Sequence, residues 1–293
     1  MAHDLFNSPQ KQWMREFFWL PILKAFKARS KIELRYLTFA GPKGYDIDFF
    51  VANGIFALGN VRVWERNKDA ADALTQKFGL GFQVKVGEAF DLSKAQQERS
   101  HFPHSVINLD FTSGAFSIPT ARHIPPKLEL IGNVISAQRE HAESFLLLVA
   151  VAAAPDVDST IGKAFVQKMA FDIATRFGQT EPLFNLTRSP EKTYAKVLGA
   201  LLPCAIIRLG GEYCYDTQCT GKALYSPDNS KQTLMLCLAF ELSYDHPPLS
   251  ETSLQTSTRL ERIVVGRQQE SLAMSILDIN GEVKKAKGKS RAR

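Results

Sequence analysis

Gly41-Pro42-Lys43-Gly44, Glu65, Glu88 and Asp110 follow one another at intervals of a little over 20 residues, about the length of one strand-plus-helix unit in an alternating chain. Each has its own chemistry. Glycines in a turn after a strand let the backbone approach a ligand closely, and the helix start behind them adds unpaired N–H donors. A carboxylate about 20 residues further on, here Glu65, reaches the two hydroxyls of a ribose. An acid after a third parallel strand, Glu88 with Asp91 as its near competitor, is placed to accept from an adenine amino group. Asp110, before Thr112-Ser113-Gly114, stands where it can orient a second molecule or take its proton. Plainer roles stand beside these: a glycine after a strand is common, Glu65 can be an ordinary strand-end acid, and Asp110 can cap the next turn.

The elements that must position these residues can be traced along the chain. Ile32–Phe39 is a β-branched, aromatic and aliphatic run that stops at the glycine turn. Ile47, Phe50, Val51 and Ile55 then recur at helical spacing, and Val61-Arg62-Val63-Trp64 is a second strand ending at Glu65. Lys68–Phe78 reads as a helix, Phe82–Val86 as a third strand, Lys94–Arg99 as a short polar helix and Ser105–Phe111 as the fourth strand. Pro125-Pro126 opens a helix to about His141. Ser144–Ala153 is the continuous apolar run of a buried central strand. Helices follow over Ile161–Phe177 and from Glu191 to about Arg208. The βα rhythm then breaks: Glu212–Tyr225 and Gln232–Tyr244 are strand-like runs joined by Ser226-Pro227-Asp228-Asn229-Ser230, which predicts an antiparallel hairpin. No internal repeats occur.

Upstream of the first strand, Ser8-Pro9 is a helix start. An aromatic-rich helix runs from there to Ala28 and is interrupted at Pro21. Its aromatics suit packing against the main body; the sharper alternative is that they hold a substrate with Lys11, Arg15, Lys24 and Lys27. Downstream of His246-Pro247-Pro248 the chain is polar, with one weakly amphipathic segment near Ile263–Ile276.

Composition narrows the classes. A hydrophobic content of 45% over 293 residues supports a large core. The longest apolar run, Phe145–Pro155, is too short to span a membrane, and the first ten residues lack the pattern of a signal peptide, so the cytoplasm is the expected location. Cys204, Cys214, Cys219 and Cys237 form no CxxC pair, and no histidine completes a site around Cys214 and Cys219, so buried reduced thiols are expected and no metal centre. The net charge of +6 is matched by six cations in the last ten residues, Lys284, Lys285, Lys287, Lys289, Arg291 and Arg293. The body is therefore neutral and the basicity sits in a tail, a composition that suits contact with RNA or DNA phosphates.

Five alternating units followed by an antiparallel hairpin is the strand plan of class I S-adenosylmethionine-dependent methyltransferases, and the chain resembles that superfamily over Lys31–Asp245. Phe39-Ala40-Gly41-Pro42 is similar to the FAGPG turn of several nucleic-acid methyltransferases and of three-Cys-motif partner proteins. The resemblance implies Gly41, Lys43 and Gly44 at the donor turn, Glu65 on the ribose, Glu88 at the adenine, and Asp110 as the catalytic residue on the acceptor side. Two positions depart from the pattern: Leu37 stands where the family has an acid that helps hold the methionine amino group, and Lys43 where it has a glycine. Lys43 then either pairs with the methionine carboxylate or fills its space. No NPPY, DPPY or Pro-Cys follows the fourth strand, which disfavours methylation of a nucleobase. A restriction-type nuclease centre on Asp48 and Glu65 fails for want of a lysine two residues after the glutamate, where Asn67 stands. His104 and His123 border the fourth-strand loop and are weaker catalytic candidates.

The expected fold is thus α/β: a doubly wound, mostly parallel seven-stranded sheet with a terminal antiparallel hairpin and an N-terminal helical cap. The expected division is a cap over residues 1–30, a methyltransferase-like Rossmann domain over 31–245 and a C-terminal extension over 246–293 with a disordered basic tail. The expected function is S-adenosylmethionine binding, with methyl transfer to a nucleic acid or an associated protein. The alternative, favoured by Leu37 and Lys43, is a catalytically silent subunit serving as a binding or assembly module in a nucleoprotein, defence or viral complex, which makes a protein partner a second expectation.

Overall fold

The computed structural model describes residues 7–79, 82–87, 102–116, 125–153, 160–178, 191–226, 234–248 and 250–278. The chain opens with α1 (Pro9–Trp13), a π-helical turn over Met14–Trp19, and α2 (Leu20–Arg29). The Ser8 hydroxyl accepts the Lys11 N–H at 3.3 Å, as a cap should. Pro21 does not interrupt the helix. It lacks an N–H, and the backbone widens just ahead of it, so that the Leu20 N–H reaches back to the Arg15 carbonyl. The helix then runs on unbroken to Arg29.

The alternating part comprises β1 (Tyr36–Thr38), α3 (Tyr45–Ala52), β2 (Val61–Glu65), α4 (Lys68–Phe78), β3 (Gln83–Val86), β4 (Val106–Gly114), α5 (Pro126–Arg139), β5 (Phe145–Ala152), α6 (Thr160–Arg176) and α7 (Glu191–Glu212). The hairpin is β6 (Tyr215–Tyr225) and β7 (Met235–Tyr244), followed by α8 (Ser253–Ala273) and β8 (Leu277–Asp278). The expected helix at Lys94–Arg99 and the hairpin tip lie outside the described residues. β1 is shorter than its β-rich sequence predicts. Its neighbours start pairing at Val61 and Val106, opposite Tyr36; Arg35 still accepts from Ser105 and Val106, and Ile32–Leu34 pairs with no strand among the described residues.

The sheet order is β3-β2-β1-β4-β5-β7-β6-β8. β1 to β5 are mutually parallel, and β7 runs antiparallel to both β5 and β6. This is the doubly wound sheet with a terminal hairpin that the sequence predicts, except that it has eight strands, not seven. The extra strand arises because Leu277 and Asp278 pair with Ala223 and Leu224 and cover the edge that β6 would otherwise expose.

Apolar layers fill both faces. β5 is buried along its whole length and feeds the two alternately: Phe145, Leu147, Val149 and Val151 face α5, α6 and α7, while Leu146, Leu148, Ala150 and Ala152 face the layer holding α2 and α3. Met14, Phe18, Trp19, Leu23 and Phe26 are buried in that second layer, so most aromatics of the N-terminal helix are packing residues, while Phe17 is exposed. Cys204, Cys219 and Cys237 are buried thiols and Cys214 is half-buried, none of them in a disulfide.

The polar C-terminal stretch, weak as a sequence signal, forms the 21-residue helix α8. Thr252 and Gln255 close a capping box at its start. Arg267 grips Asp216 of β6 through two bonds of 2.7 and 2.8 Å, and Arg208 of α7 meets Glu261 at 2.7 Å. α7 approaches its neighbours through glycines: a Cβ on Gly210 would fall 1.8 Å from Thr217 Oγ1, and one on Gly211 2.3 Å from Val264 Cγ2. Its Tyr194–Glu212 portion is long and apolar enough to cross a membrane, a stretch the sequence reading passed over, but 72% of it is buried inside the fold.

Candidate functional site

The carboxyl ends of β1, β2, β3 and β4 open into one cavity of about 490 Å³, the position at which doubly wound sheets bind ligands. Gly41, Lys43, Gly44, Glu65 and Asp110 all line it. Three strands separated in sequence, β1, β2 and β4, thereby bring five predicted site residues to one place. Glu88 lies outside the described residues, as do Asp91 and His123; Gly87, immediately before Glu88, is on the cavity wall.

The turn after β1 is closed by the Gly44 N–H donating to the Gly41 carbonyl at 2.9 Å. Gly44 has φ of +56°, and a Cβ there would meet Phe78 of α4 at 2.7 Å. Glycine at this position is therefore demanded by the left-handed backbone and by the fit against α4, not by a ligand's approach. α3 starts directly behind the turn with Asp46 and Asp48 in its first turn. Both acids stand at the positive end of the helix and both are paired, Asp46 with Arg15 and Asp48 with Lys77. Lys43 Nζ lies 5.8 Å from the Tyr45 ring centre.

At the end of β2, Glu65 Oε1 accepts the Asn67 N–H at 2.8 Å, and Asn67 in turn caps α4 through Ala70. Glu65 is thus both a strand-end acid that shapes its loop and a wall of the cavity. Beside it the Trp64 indole donates to the Gly87 carbonyl at 2.9 Å and holds the ends of β2 and β3 together.

Asp110 ends the regular part of β4, where the register with β5 shifts. Its carboxylate faces Lys11 Nζ at 3.7 Å. Burial pushes its pKa above the ordinary carboxylate range, against the opposing pull of the Lys11 ammonium. Arg15, one turn after Lys11, is buried and bonded through Nε to Asp46. Its Nη1 also donates to Asn7 Oδ1 at 3.3 Å. Of the basic residues of the N-terminal helix, Lys11 and Arg15 line the cavity, Lys24 is exposed, and Lys27 bonds to the Gly54 carbonyl. The sequence also left Asp46, Trp64 and Lys127 unassigned, all on the cavity wall. Lys127 is buried and donates to the Gly114 carbonyl at the end of β4.

His104 is not at this site. It precedes β4 at the opposite end from Asp110, and its backbone exchanges two bonds of 2.7 Å with the Gln138 side chain. Leu37 is buried in the core of the sheet and lines a separate cavity of about 300 Å³ with His104.

No family model and no curated protein matches the sequence. Among solved structures, the chain is similar to the CurJ carbon methyltransferase, at 10% identity and a TM-score of 0.42 over 82% of this chain and 57% of that one. It thus spans less than two thirds of the CurJ chain. It is also similar to TYW2 of M. jannaschii in complex with AdoMet, at 7% identity and a TM-score of 0.39 over 76% of this chain and 75% of that one. A third is a SAM-dependent methyltransferase of Methanosarcina mazei, at 10% identity and a TM-score of 0.37 over 77% and 98%. The likeness extends over most of this chain and stays at low identity throughout.

Proposed function

We propose that this cavity binds S-adenosylmethionine and that the protein transfers its methyl group to an acceptor entering beside Asp110. The observation that carries the reading is the convergence of Gly41–Gly44, Glu65, Gly87 and Asp110 on one cavity across four parallel strands. Its volume of about 490 Å³ is ample for a nucleoside with an amino-acid extension.

The donor supplies a methyl group already activated on a sulfonium, so the chain has chiefly to align two molecules. Glu65 accepts from the ribose hydroxyls, and the turn after β1 borders the donor's amino-acid end. Asp110, with its raised pKa, accepts the proton that an O–H or N–H acceptor gives up as its bond to carbon forms. Lys11 keeps the Asp110 carboxylate in place. The basic tail over Lys284–Arg293 supports an acceptor that is RNA, DNA or a protein bound to them.

Calorimetric titration of the purified protein with S-adenosylhomocysteine tests the reading. Saturable binding at one site is expected; no heat at about millimolar ligand, far above the range of working enzyme sites, would end it. A second reading, a catalytically silent subunit of the same fold, is favoured by Lys43 at the turn, where the resembled family has a glycine. It predicts no methyl transfer to total RNA, DNA or protein whether or not the donor binds.

A further inference from the structure

Arg15 and Asp46 form an ion pair on the wall of the cavity, between two elements far apart in sequence. Arg15 comes from the N-terminal helix and Asp46 from the first turn of α3. Burying a cation against an anion costs much of the attraction it gains, so stability alone is a weak reason for such a pair. The pair also has a chemical shape of its own: one fixed negative and one fixed positive group, adjacent and facing the same space.

The order of the strands says which part of a donor would meet it. Gly87 follows β3, Glu65 ends β2, the glycine turn follows β1, and Asp110 ends the regular part of β4, in that order across the sheet. With the ribose at Glu65 and the adenine toward β3, the remaining extension of the molecule runs over the β1 turn toward β4. Asp46 and Arg15 stand there. An α-amino acid is a zwitterion, an ammonium beside a carboxylate, which is the charge complement of this pair. Of the residues from Phe39 to Asp46 that line the cavity at this turn, Asp46 is the acid.

We infer that the Arg15–Asp46 pair is the receptor for the zwitterionic end of the donor, with Asp46 accepting from the α-ammonium and Arg15 donating to the carboxylate. The N-terminal helix is on this account a wall of the donor site and not only a cover. The inference rests on the donor-binding reading above, and its test separates the two.

The test compares S-adenosylhomocysteine with 5′-methylthioadenosine, which keeps the adenosine and sulfur but lacks the amino-acid end. Calorimetry on the full chain should show wild type preferring S-adenosylhomocysteine by roughly ten- to hundredfold, the range of charge-assisted contacts. Asp46→Asn, close in size and shape, should reduce that preference to about threefold or less while the 5′-methylthioadenosine affinity stays within about twofold. Arg15→Gln should act in the same sense and provides the measurement if Asp46→Asn does not fold; the unchanged 5′-methylthioadenosine affinity is the control for folding. A preference that persists in both variants, or a wild type that binds the two ligands equally, would overturn the inference and leave the donor reading standing. Failure of wild type to bind either ligand would remove both.

Discussion

At the scale of single residues, the cavity combines groups with two duties. Glu65 holds the Asn67 N–H and faces the ligand space. If it also accepts the ribose hydroxyls, Glu65→Ala removes charge-assisted bonds worth about 1.5–3 kcal/mol. The S-adenosylhomocysteine dissociation constant should rise roughly 10- to 100-fold with the fold intact, and an unchanged constant would end that assignment. Asp110 carries the opposite burden. Its pKa is higher in the folded protein than in the unfolded chain, so the native state holds that proton more tightly. The stability linked to this group is present at low pH and is lost as pH rises through the raised value. At neutral pH the charged carboxylate therefore opposes folding. Asp110→Asn should melt above wild type at about pH 7, and the gap should close toward about pH 4, while methyl transfer is lost. Melting curves across that range decide it; a variant that melts lower at neutral pH would show that the Lys11 pair outweighs the burial.

At the scale of elements, the π-helical turn in the N-terminal helix sets which side chains face the sheet. Lys11 and Arg15 lie upstream of, or within, the widened turn, and the packed residues Leu20, Leu23 and Phe26 lie downstream. A π-turn amounts to one residue too many for an α-helix. Removing the exposed Phe17 should restore α-helical geometry and rotate everything before it by about 100°. Lys11 and Arg15 would then swing off the cavity while the downstream packing stays. Loss of the S-adenosylhomocysteine preference over 5′-methylthioadenosine, with a melting temperature lowered by only a few degrees, is the expected result. Retention of that preference would show that the turn does not aim the two cations.

At the scale of the whole molecule, charge is divided between a balanced body and a basic end. Lys284–Arg293 alternates cations with Ala, Gly and Ser, a composition that cannot bury a core. If the tail contacts nucleic-acid phosphates, each one neutralised adds roughly 0.7–0.9 to the slope of log affinity against log salt. Deleting residues 284–293 should flatten that slope by several units in filter binding and leave S-adenosylhomocysteine affinity unchanged. Identical slopes for the full and shortened chains would make the tail a solubilising end.

The sequence by itself determined the doubly wound order of strands and the terminal hairpin, though not β8 or the length of β1. Period-2 and continuous apolar runs identify β2, β4, β5 and the hairpin because burial on one or both faces selects those residues directly. The spacing of Gly44, Glu65 and Asp110 follows from one cavity-lining position per βα unit. Tertiary structure decided what depends on partners distant in the chain. β1 shrank to Tyr36–Thr38 because those are the residues, among the described ones, that pair with β2 and β4 on both sides. α8 is held by Arg267 on Asp216 and Arg208 on Glu261, contacts that hydrophobic periodicity does not register. Gly44 owes its identity to Phe78, more than 30 residues away in sequence. The Arg15–Asp46 and Lys11–Asp110 pairs exist only because the N-terminal helix lies across the end of the sheet. Local pattern records which face of an element is buried; which charges meet across a cavity is settled by the packing of those elements.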